Sequence, residues 1–308
     1  MLTKDAPALP EPLRQRLEGD PALPSLPACA DRLLRLFSKH DEPSPATVAD
    51  VVQQDAAMAA KVLRHANSAA YAIPQPSRTV LQAVTMIGVR RTRNLVLTFA
   101  LQGMSSGRGN GMRAFWRRSV YSGVLARELA ALPTWGSISA EEAALAALFQ
   151  DIGALAMLCV LGESYDKMVS RASTNHALLG EDERRLFGAD HADVGAWLLA
   201  RWGLPGYLVE AVALSHGPAE VGSSMPPLPR LVATAGAVAD AWVEGRAAEM
   251  LHQTGEFAAF PTDDPLKEAL ARAEARLRES APLFDVSLFA ETRLDWLLSR
   301  ARELLSQA

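Results

Sequence analysis

Residues 143–161 read AALAALFQDIGALAMLCVL, an apolar stretch that has no comparable companion elsewhere in the sequence. Its length would suffice to cross a bilayer, but Gln150 and Asp151 lie at its centre. A central aspartate costs about 2.5–3.5 kcal/mol on membrane-insertion scales. We therefore interpret the stretch as one central helix that is buried on all sides, and we expect no membrane insertion.

The rest of the 308-residue sequence favours helices around this core. Hydrophobic residues make up 49% of the chain, which is enough for one large core or two packed lobes. Aromatic residues make up only 6%, and long stretches rich in alanine and leucine suit helices better than strands. Because no stretch shows convincing period-two alternation, the sequence predicts an all-α protein.

Glycine and serine mark the point at which the chain divides. The segment SSGRGNG, residues 105–111, has the composition of a flexible linker between two helical lobes. In the tail, apolar residues at helical spacing predict two amphipathic helices, Pro265–Arg278 and Thr292–Leu305. The predicted organisation is an extended lead-in over residues 1–22, a helical lobe over 23–104, the linker, a second helical lobe over 112–245 and a C-terminal helical extension over 246–308.

Short motifs along both lobes carry a resemblance to a known family. In the first lobe they are LPSLP (23–27), QQD (53–55), KVLRHANSAAY (61–71) and QAVTMIGVRRTRNLVL (82–97). In the second lobe they are FWRRS (115–119), FQDIG (149–153), DHADVGAWLLARWGLP (190–205), SH (215–216) and VAD (238–240). By their order and spacing, the chain resembles the HDOD family of bacterial signalling over about residues 20–245. The resemblance implies a two-lobed helical fold whose second lobe is HD-like, related to the HD and HD-GYP phosphohydrolases but generally without their demonstrated catalysis.

The same resemblance locates a metal site that this sequence keeps only in part. HD phosphohydrolases bind a divalent ion through a histidine, an adjacent His-Asp pair and a distant aspartate, and the ion activates water or polarises a phosphate. The matching positions here are Arg118, Gln150, Asp151 and Asp240. Arginine is a permanent cation that cannot ligate a metal, and glutamine offers only a weak neutral oxygen. We therefore expect no metal, no cofactor and no catalytic residue, and we predict that the guanidinium of Arg118 takes the place of the ion between Asp151 and Asp240.

Two histidines of the second lobe allow two interpretations. His191 and His216 match positions near those that bind a second ion or a phosphate in two-metal relatives. Either each is hydrogen-bonded within a packed lobe, or the two form a residual anion pocket with nearby arginines. A histidine without further ligands is a weak metal signal. The spacing of the remaining histidines indicates no site: His40, His65, His176 and His252.

Positive charge is concentrated in one stretch of the chain. No acidic residue lies between Asp55 and Glu128, a stretch that contains eleven lysines and arginines. Once these eleven charges are subtracted from the net charge of −4, the remainder of the chain carries −15. We therefore identify Arg90, Arg91 and Arg93 as a candidate surface for an anionic partner. A scattered, solvated set of arginines is the alternative, because no aromatic residues that could stack on bases are interleaved with the run.

These observations predict a cytoplasmic, non-catalytic regulatory protein that binds a protein partner of a bacterial signalling pathway, or an anionic ligand such as a nucleotide. Two cysteines in apolar surroundings give no disulfide framework, which fits reduced thiols in the cytosol. The first twelve residues, MLTKDAPALPEP, lack the apolar core of a signal peptide. A metal-dependent phosphohydrolase that acts on a cyclic dinucleotide is the first alternative, and a nucleotide- or nucleic-acid-binding module is the second.

Overall fold

The structure, a computed structural model, describes residues 7–39, 42–68, 76–105, 110–172, 176–216, 225–244 and 264–284. Within these residues the regular elements are helices, and no strand occurs among them. The all-α prediction is therefore confirmed. The described residues divide between two compact units, which span 25–106 with 278–286, and 1–24 with 107–277 and 287–308.

The helices have the following bounds in chain order. They are α1 (Glu11–Gly19), α2 (Ala28–Lys39), α3 (Pro45–Gln53), α4 (Ala56–Ala66), α5 (Val80–Ile87), α6 (Val89–Ser105), α7 (Asn110–Leu129), α8 (Ala140–Phe149), α9 (Ile152–Leu161), α10 (Glu163–Ala172), α11 (His176–Phe187), α12 (His191–Arg201), α13 (Gly206–Ala213), α14 (Pro227–Glu244) and α15 (Asp264–Phe284). A 3₁₀ turn, Pro133–Trp135, lies between α7 and α8.

Side-chain caps begin two helices of the smaller unit. Ser44 accepts a hydrogen bond from the amide three residues later at the start of α3, and Asp55 does the same at the start of α4. The sequence predicts both caps, because a serine before a proline and an aspartate before an apolar run satisfy free amides of the first turn. After α4, the Asn67 side chain exchanges two hydrogen bonds with the Ser77 backbone, which fixes residue 67 to residue 77.

The N-terminal lead-in differs from the expected extended chain, because residues 11–19 form α1. Pro12 lies in its first turn, where the missing amide hydrogen has no helical partner to lose. Leu13 and Leu17 lie one turn apart on a buried face, and α1 packs against α9. The proline-rich composition of the flanking residues concealed this short apolar repeat.

The predicted central helix is interrupted at its polar centre. α8 ends at Phe149 and α9 begins at Ile152, and Asp151 between them has φ −104° and ψ 15°, outside the helical region. The expectation of one continuous helix was therefore wrong, since hydropathy reports how apolar a stretch is and not where its backbone bends. By length and composition Ala140–Leu161 could cross a membrane, but 89% of its apolar 18-residue window is buried inside the protein. It forms part of the core of the larger unit.

Close helix packing positions the candidate site within the larger unit. α7 packs along α8 and α14, and α12 packs against α9 and α13. Gly153 of α9 faces the start of α12, where a Cβ would collide with the His191 carbonyl oxygen and lie 2.5 Å from the Gly195 amide nitrogen. Only glycine allows this approach of the two backbones, which brings His191 close to Asp151.

The C-terminal part of the described chain is a long amphipathic helix. The predicted helix Pro265–Arg278 is present within α15, and Arg272 and Arg276 of this helix pair with Glu128 of α7. Its buried residues repeat at helical spacing: Ala269, Leu270, Ala273 and Leu277. The second predicted tail helix, Thr292–Leu305, lies outside the described residues, as do residues 106–109 of the predicted linker.

Candidate functional site

Three charged side chains meet where α7, α14 and the turn between α8 and α9 come together. Arg118 lies on α7, Asp240 on α14 and Asp151 in the turn. Nε of Arg118 donates to Oδ1 of Asp240 at 2.5 Å, and Nη2 donates to Oδ2 of the same carboxylate at 3.0 Å. Nη1 donates to Oδ2 of Asp151. The guanidinium of Arg118 therefore bridges the two carboxylates.

All three of these groups are buried and charged. Arg118 is 8% exposed, Asp240 4% and Asp151 1%. Burial alone would lower the pKa of Arg118, yet the two carboxylates raise it above its usual value. Burial alone would raise the pKa of Asp151, yet Arg118 holds it well below its usual range. With one guanidinium between two carboxylates, one negative charge is left over inside the protein.

Gln150 lies beside this ion cluster without bonding to it. Its Nε2 donates to the Ala147 carbonyl at 3.1 Å, and its Oε1 has no hydrogen-bond partner among the described residues. Gly236 of α14 leaves room for both neighbours, because a Cβ there would lie 2.5 Å from Oε1 of Gln150 and 3.0 Å from Nη2 of Arg118. At the position that the family resemblance matches to a metal-binding histidine, Gln150 therefore fills space beside the ion cluster.

Three histidines converge on the second oxygen of Asp151. Their Nε2 atoms lie 2.9 Å apart for His176 and His191, 3.1 Å for His176 and His216, and 3.3 Å for His191 and His216. Oδ1 of Asp151 lies 3.4 Å from Nε2 of His176, 3.7 Å from that of His191 and 3.5 Å from that of His216. This oxygen makes no hydrogen bond within the described part of the chain. The cluster joins the starts of α11 and α12, the turn that follows α13 and the α8–α9 turn.

Two polar side chains orient these rings from behind. Glu183 of α11 accepts hydrogen bonds from Nδ1 of His191 at 2.6 Å and from its backbone amide at 2.8 Å. Ser215 donates its hydroxyl to the carbonyl three residues earlier at 2.7 Å, so it accepts from Nδ1 of His216 at 3.0 Å. Nδ1 therefore carries the proton in both rings, and the two Nε2 atoms face the cluster.

The surroundings shift the pKa values of the cluster in different directions. Burial lowers the pKa of His191, but the carboxylates of Glu183, Asp151 and Asp190 together outweigh burial and raise it to about 9. Burial and the charges of the other two histidines lower the pKa of His216 well below its usual value. Burial and Glu183 raise the pKa of Tyr165, whose hydroxyl donates to Glu183. The cluster therefore accepts one positive charge more readily than several.

A capping box fixes the start of α12 and with it His191. The Asp193 amide donates to Oδ1 of Asp190 at 2.9 Å, and the Asp190 amide donates to Oδ2 of Asp193 at 3.2 Å. Arg184 donates to the other oxygen of Asp190. Asp193 thus stabilises the helix end and not the histidine cluster.

The histidine cluster is larger than the pair identified from the sequence. His191 and His216, the predicted anion pocket, are neighbours, but the carboxylate of Asp151 lies with them and favours a cation over an anion. The anion pocket stays a prediction. His176 and Glu183, to which the sequence analysis assigned no role, complete the cluster. Their spacing of seven residues, two turns along one face of α11, is the signal that could have found them.

The predicted arginine surface on α6 is only partly exposed. Arg91 is exposed and Arg90 is half-buried. Arg93 is 7% exposed, its guanidinium lies 5.0 Å from the centre of the Phe37 ring, and it donates to Asn94. Including Arg93 in a surface was therefore wrong, because the helix turns it onto an aromatic ring that stabilises its charge. Contact of Arg90 and Arg91 with an anionic partner stays a prediction.

Several known proteins share this fold. An HDOD domain protein of unknown function from Geobacter sulfurreducens is 21% identical, with a TM-score of 0.68 over 90% of this chain and 97% of its own. A Shewanella amazonensis SB2B protein named "Putative phosphohydrolase" is 23% identical, with a TM-score of 0.61 over 96% of this chain and 95% of its own. A Marinobacter aquaeolei VT8 protein named "Putative signal transduction protein" is 21% identical, with a TM-score of 0.60 over 89% of this chain and 61% of its own. At these identities the likeness shows the fold alone.

Sequence comparison extends the match to a longer protein and to a family. An uncharacterized protein of Treponema pallidum (strain Nichols) is 20% identical over 225 residues, 72% of this chain, and the chain spans 42% of the length of that relative. The family model described as the HDOD domain matches residues 23–218. Because this match extends over more than half of the 308 residues, the chain belongs to the HDOD family, as its motifs predict.

Proposed function

We propose that the chain is a non-catalytic regulatory protein of a bacterial signalling pathway, which acts in the cytoplasm by binding a protein partner. The position of Arg118 supports this proposal best. In HD phosphohydrolases, the residues that match Arg118, Asp151 and Asp240 hold a metal ion, whereas here a guanidinium bonds to both carboxylates. A metal ion at this point would meet a permanent positive charge within a buried site. The residues present therefore do not fit the metal that the relatives bind here.

The names of the similar structures include both a signal transduction protein and a phosphohydrolase. The ion cluster favours the signalling role for this chain, because the hydrolytic chemistry of the relatives depends on a metal-activated water at the same position. A regulator has no such requirement. For a regulator, the bridged carboxylates serve to hold α7, α14 and the α8–α9 turn together.

A hydrolysis assay with Mn²⁺ tests the proposal. The substrates are p-nitrophenyl phosphate and a cyclic dinucleotide, and the comparison is with Asp151→Asn, which removes the charge that a metal would need. Asp182→Asn, an exposed site on α11, serves as the matched control. We expect the same background rate in all three proteins. Metal-dependent hydrolysis that Asp151→Asn abolishes and Asp182→Asn preserves would refute the non-catalytic role.

A metal-dependent phosphohydrolase is the second candidate, and the histidine cluster on Oδ1 of Asp151 is the observation that favours it. Three imidazoles and a carboxylate are a donor set that binds divalent metals. Four protein ligands, however, leave no open coordination position for a water or a substrate. The cluster therefore gives this candidate less support than Arg118 gives the first.

A further inference from the structure

We infer that His176, His191, His216 and Asp151 bind one divalent transition-metal ion of the zinc class in a closed, tetrahedral site. This site lies on the opposite side of Asp151 from Arg118 and is distinct from the position at which Arg118 replaces a metal. The inference concerns what holds this lobe together and does not depend on the partner or on the absence of catalysis.

The distances among the four ligand atoms are those of a coordination tetrahedron. The six separations run from 2.9 Å, between Nε2 of His176 and of His191, to 3.7 Å, between Nε2 of His191 and Oδ1 of Asp151. A zinc ion lies about 2.0–2.1 Å from nitrogen and oxygen ligands, which places neighbouring ligands of a regular tetrahedron about 3.3 Å apart. The observed edges lie on both sides of that value, so a point at bonding distance from all four atoms exists at the centre of the cluster.

The hydrogen bonds behind the rings aim nitrogen lone pairs at this point. Glu183 accepts from Nδ1 of His191, and Ser215 accepts from Nδ1 of His216. In neutral rings of this tautomer each Nε2 bears a lone pair, and an imidazole that ligates a metal is usually held by such a partner on its other nitrogen. Two such lone pairs and the Asp151 oxygen, which makes no hydrogen bond among the described residues, therefore point at one place, where a cation is stabilised.

The buried charges around the cluster balance when a divalent cation is added to neutral histidine rings, the form in which histidine ligates a metal. Asp151, Asp240 and Glu183 contribute three negative charges, and Arg118 contributes one positive charge. Two negative charges remain, which is the charge that one divalent ion neutralises. Two other buried carboxylates have their own cations: Asp190 pairs with Arg184, and Glu128 pairs with Arg272 and Arg276. An isolated buried excess of this size is costly, and coordination of a metal is one of the ways in which proteins avoid it.

The donor set selects the class of metal. Three imidazole nitrogens suit zinc, cobalt and nickel, whereas magnesium and calcium prefer sets of oxygens. A tetrahedral arrangement with four protein ligands is typical of structural zinc sites. The ligands come from four separate parts of the fold, so a bound ion would tie the starts of α11 and α12 to the turn after α13 and to the α8–α9 turn. Side chains of His176 and His216 are 16% and 14% exposed, which provides a route for the ion.

Metal titration of the chelator-treated full chain tests the site. Zn²⁺ affinity and stoichiometry are measured by competition with a chromophoric chelator, and Co²⁺ reports geometry through its visible absorption. We expect one ion per chain, the intense bands of tetrahedral cobalt, and a higher Tm with zinc than with chelator. His216→Ala should weaken zinc binding at least about 100-fold, more than loss of an outer-sphere partner does. His65→Ala, outside the cluster, should leave the affinity unchanged.

Three outcomes would overturn the inference. They are zinc binding no tighter in the wild type than in His216→Ala, the weak bands of octahedral cobalt, and a loss of affinity in His65→Ala equal to that in His216→Ala. If His216→Ala does not fold, His176→Gln takes its place, because the His176 ring is the most exposed of the three. These readouts are separate from the hydrolysis assay, so the metal site and the non-catalytic role can fail independently.

Discussion

The two oxygens of Asp151 have opposite surroundings. Oδ2 accepts from Arg118, which is held in turn by both oxygens of Asp240. Oδ1 faces three histidine nitrogens at 3.4–3.7 Å and makes no hydrogen bond within the described residues. The chain's own permanent charge satisfies one side of this carboxylate. On the other side, the charge of Oδ1 is balanced only when the histidine cluster takes up a metal ion or a proton from solution.

This difference shows why a guanidinium can take the place of a metal ion on one side of Asp151 and not on the other. An arginine can replace an ion where carboxylates remain, because a guanidinium donates hydrogen bonds to them. The three imidazoles leave no room for an arginine, because their Nε2 atoms lie only 2.9–3.3 Å apart, a space that fits a single ion but not a guanidinium. We therefore expect the Arg118 side to contribute to the free energy of unfolding whether or not metal is present. The contribution of the histidine side should increase when metal is added.

Arg118→Ala should produce the largest effect on the first side. The variant leaves two buried carboxylates without their cation, and breaking a buried pair in this way costs about 3–5 kcal/mol. Urea denaturation should show this loss in the free energy of unfolding. Arg185→Ala is the matched control, since its exposed pair with Asp182 contributes less than about 1 kcal/mol. Equal losses in the two variants would mean that the bridge does not stabilise the lobe.

Gly153→Ala should disturb the histidine side of Asp151 more directly than the Arg118 side. Its methyl group would collide with the His191 carbonyl oxygen, so α12 must shift away from α9 and take His191 with it. Overpacking of this kind costs about 3 kcal/mol, and the rise in Tm on adding zinc should also shrink. At Gly206 a methyl group meets nothing within 4 Å, and Gly206→Ala should preserve both stability and the zinc effect. A full zinc effect in Gly153→Ala would show that the distance from His191 to Asp151 is unimportant.

The sequence alone predicted the Arg118 side better than the histidine side. Arg118, Asp151 and Asp240 stand at positions that family motifs mark, and burial of two carboxylates requires a cation whatever the details of the fold. His176 lies 15 residues before His191 and 40 before His216, and only the packing of α11 against the lobe brings it to them. The seven-residue spacing of His176 and Glu183 places both on one face of α11, but it does not predict which residues that face contacts.

Two other errors have the same origin in tertiary structure. The break at Asp151 was missed because apolar composition on both sides predicts a continuous helix, whereas the carboxylate lies between two separate sets of partners. Arg93 was assigned to the surface because charge predicts exposure on average. Its contact with the Phe37 ring follows from the packing of α2 against α6, which a charge pattern cannot show.

Glu183→Gln should give the smallest effect and the most specific one. Glutamine keeps the shape of the side chain but removes its negative charge. Its oxygen can still accept the ring and the backbone N–H of His191, as Oε2 of Glu183 does, but its NH2 group cannot accept from the Tyr165 hydroxyl. Changes of such outer-sphere partners reduce metal affinity by about 10–100-fold. We therefore expect zinc affinity to fall within that range by chelator competition, with one ion still bound per chain.

Asp182→Asn is the control for this change, because Asp182 precedes Glu183 on α11 but pairs with an exposed arginine. It should leave zinc affinity unchanged, and the cobalt spectrum of Glu183→Gln should remain tetrahedral because all four ligand atoms are retained. A fall in affinity without a change in geometry would show that Glu183 orients and polarises the His191 ring. If Glu183→Gln bound zinc as tightly as the wild type, the buried carboxylate would serve Tyr165 and the start of α12 alone, and the charge balance proposed for the lobe would have to be abandoned.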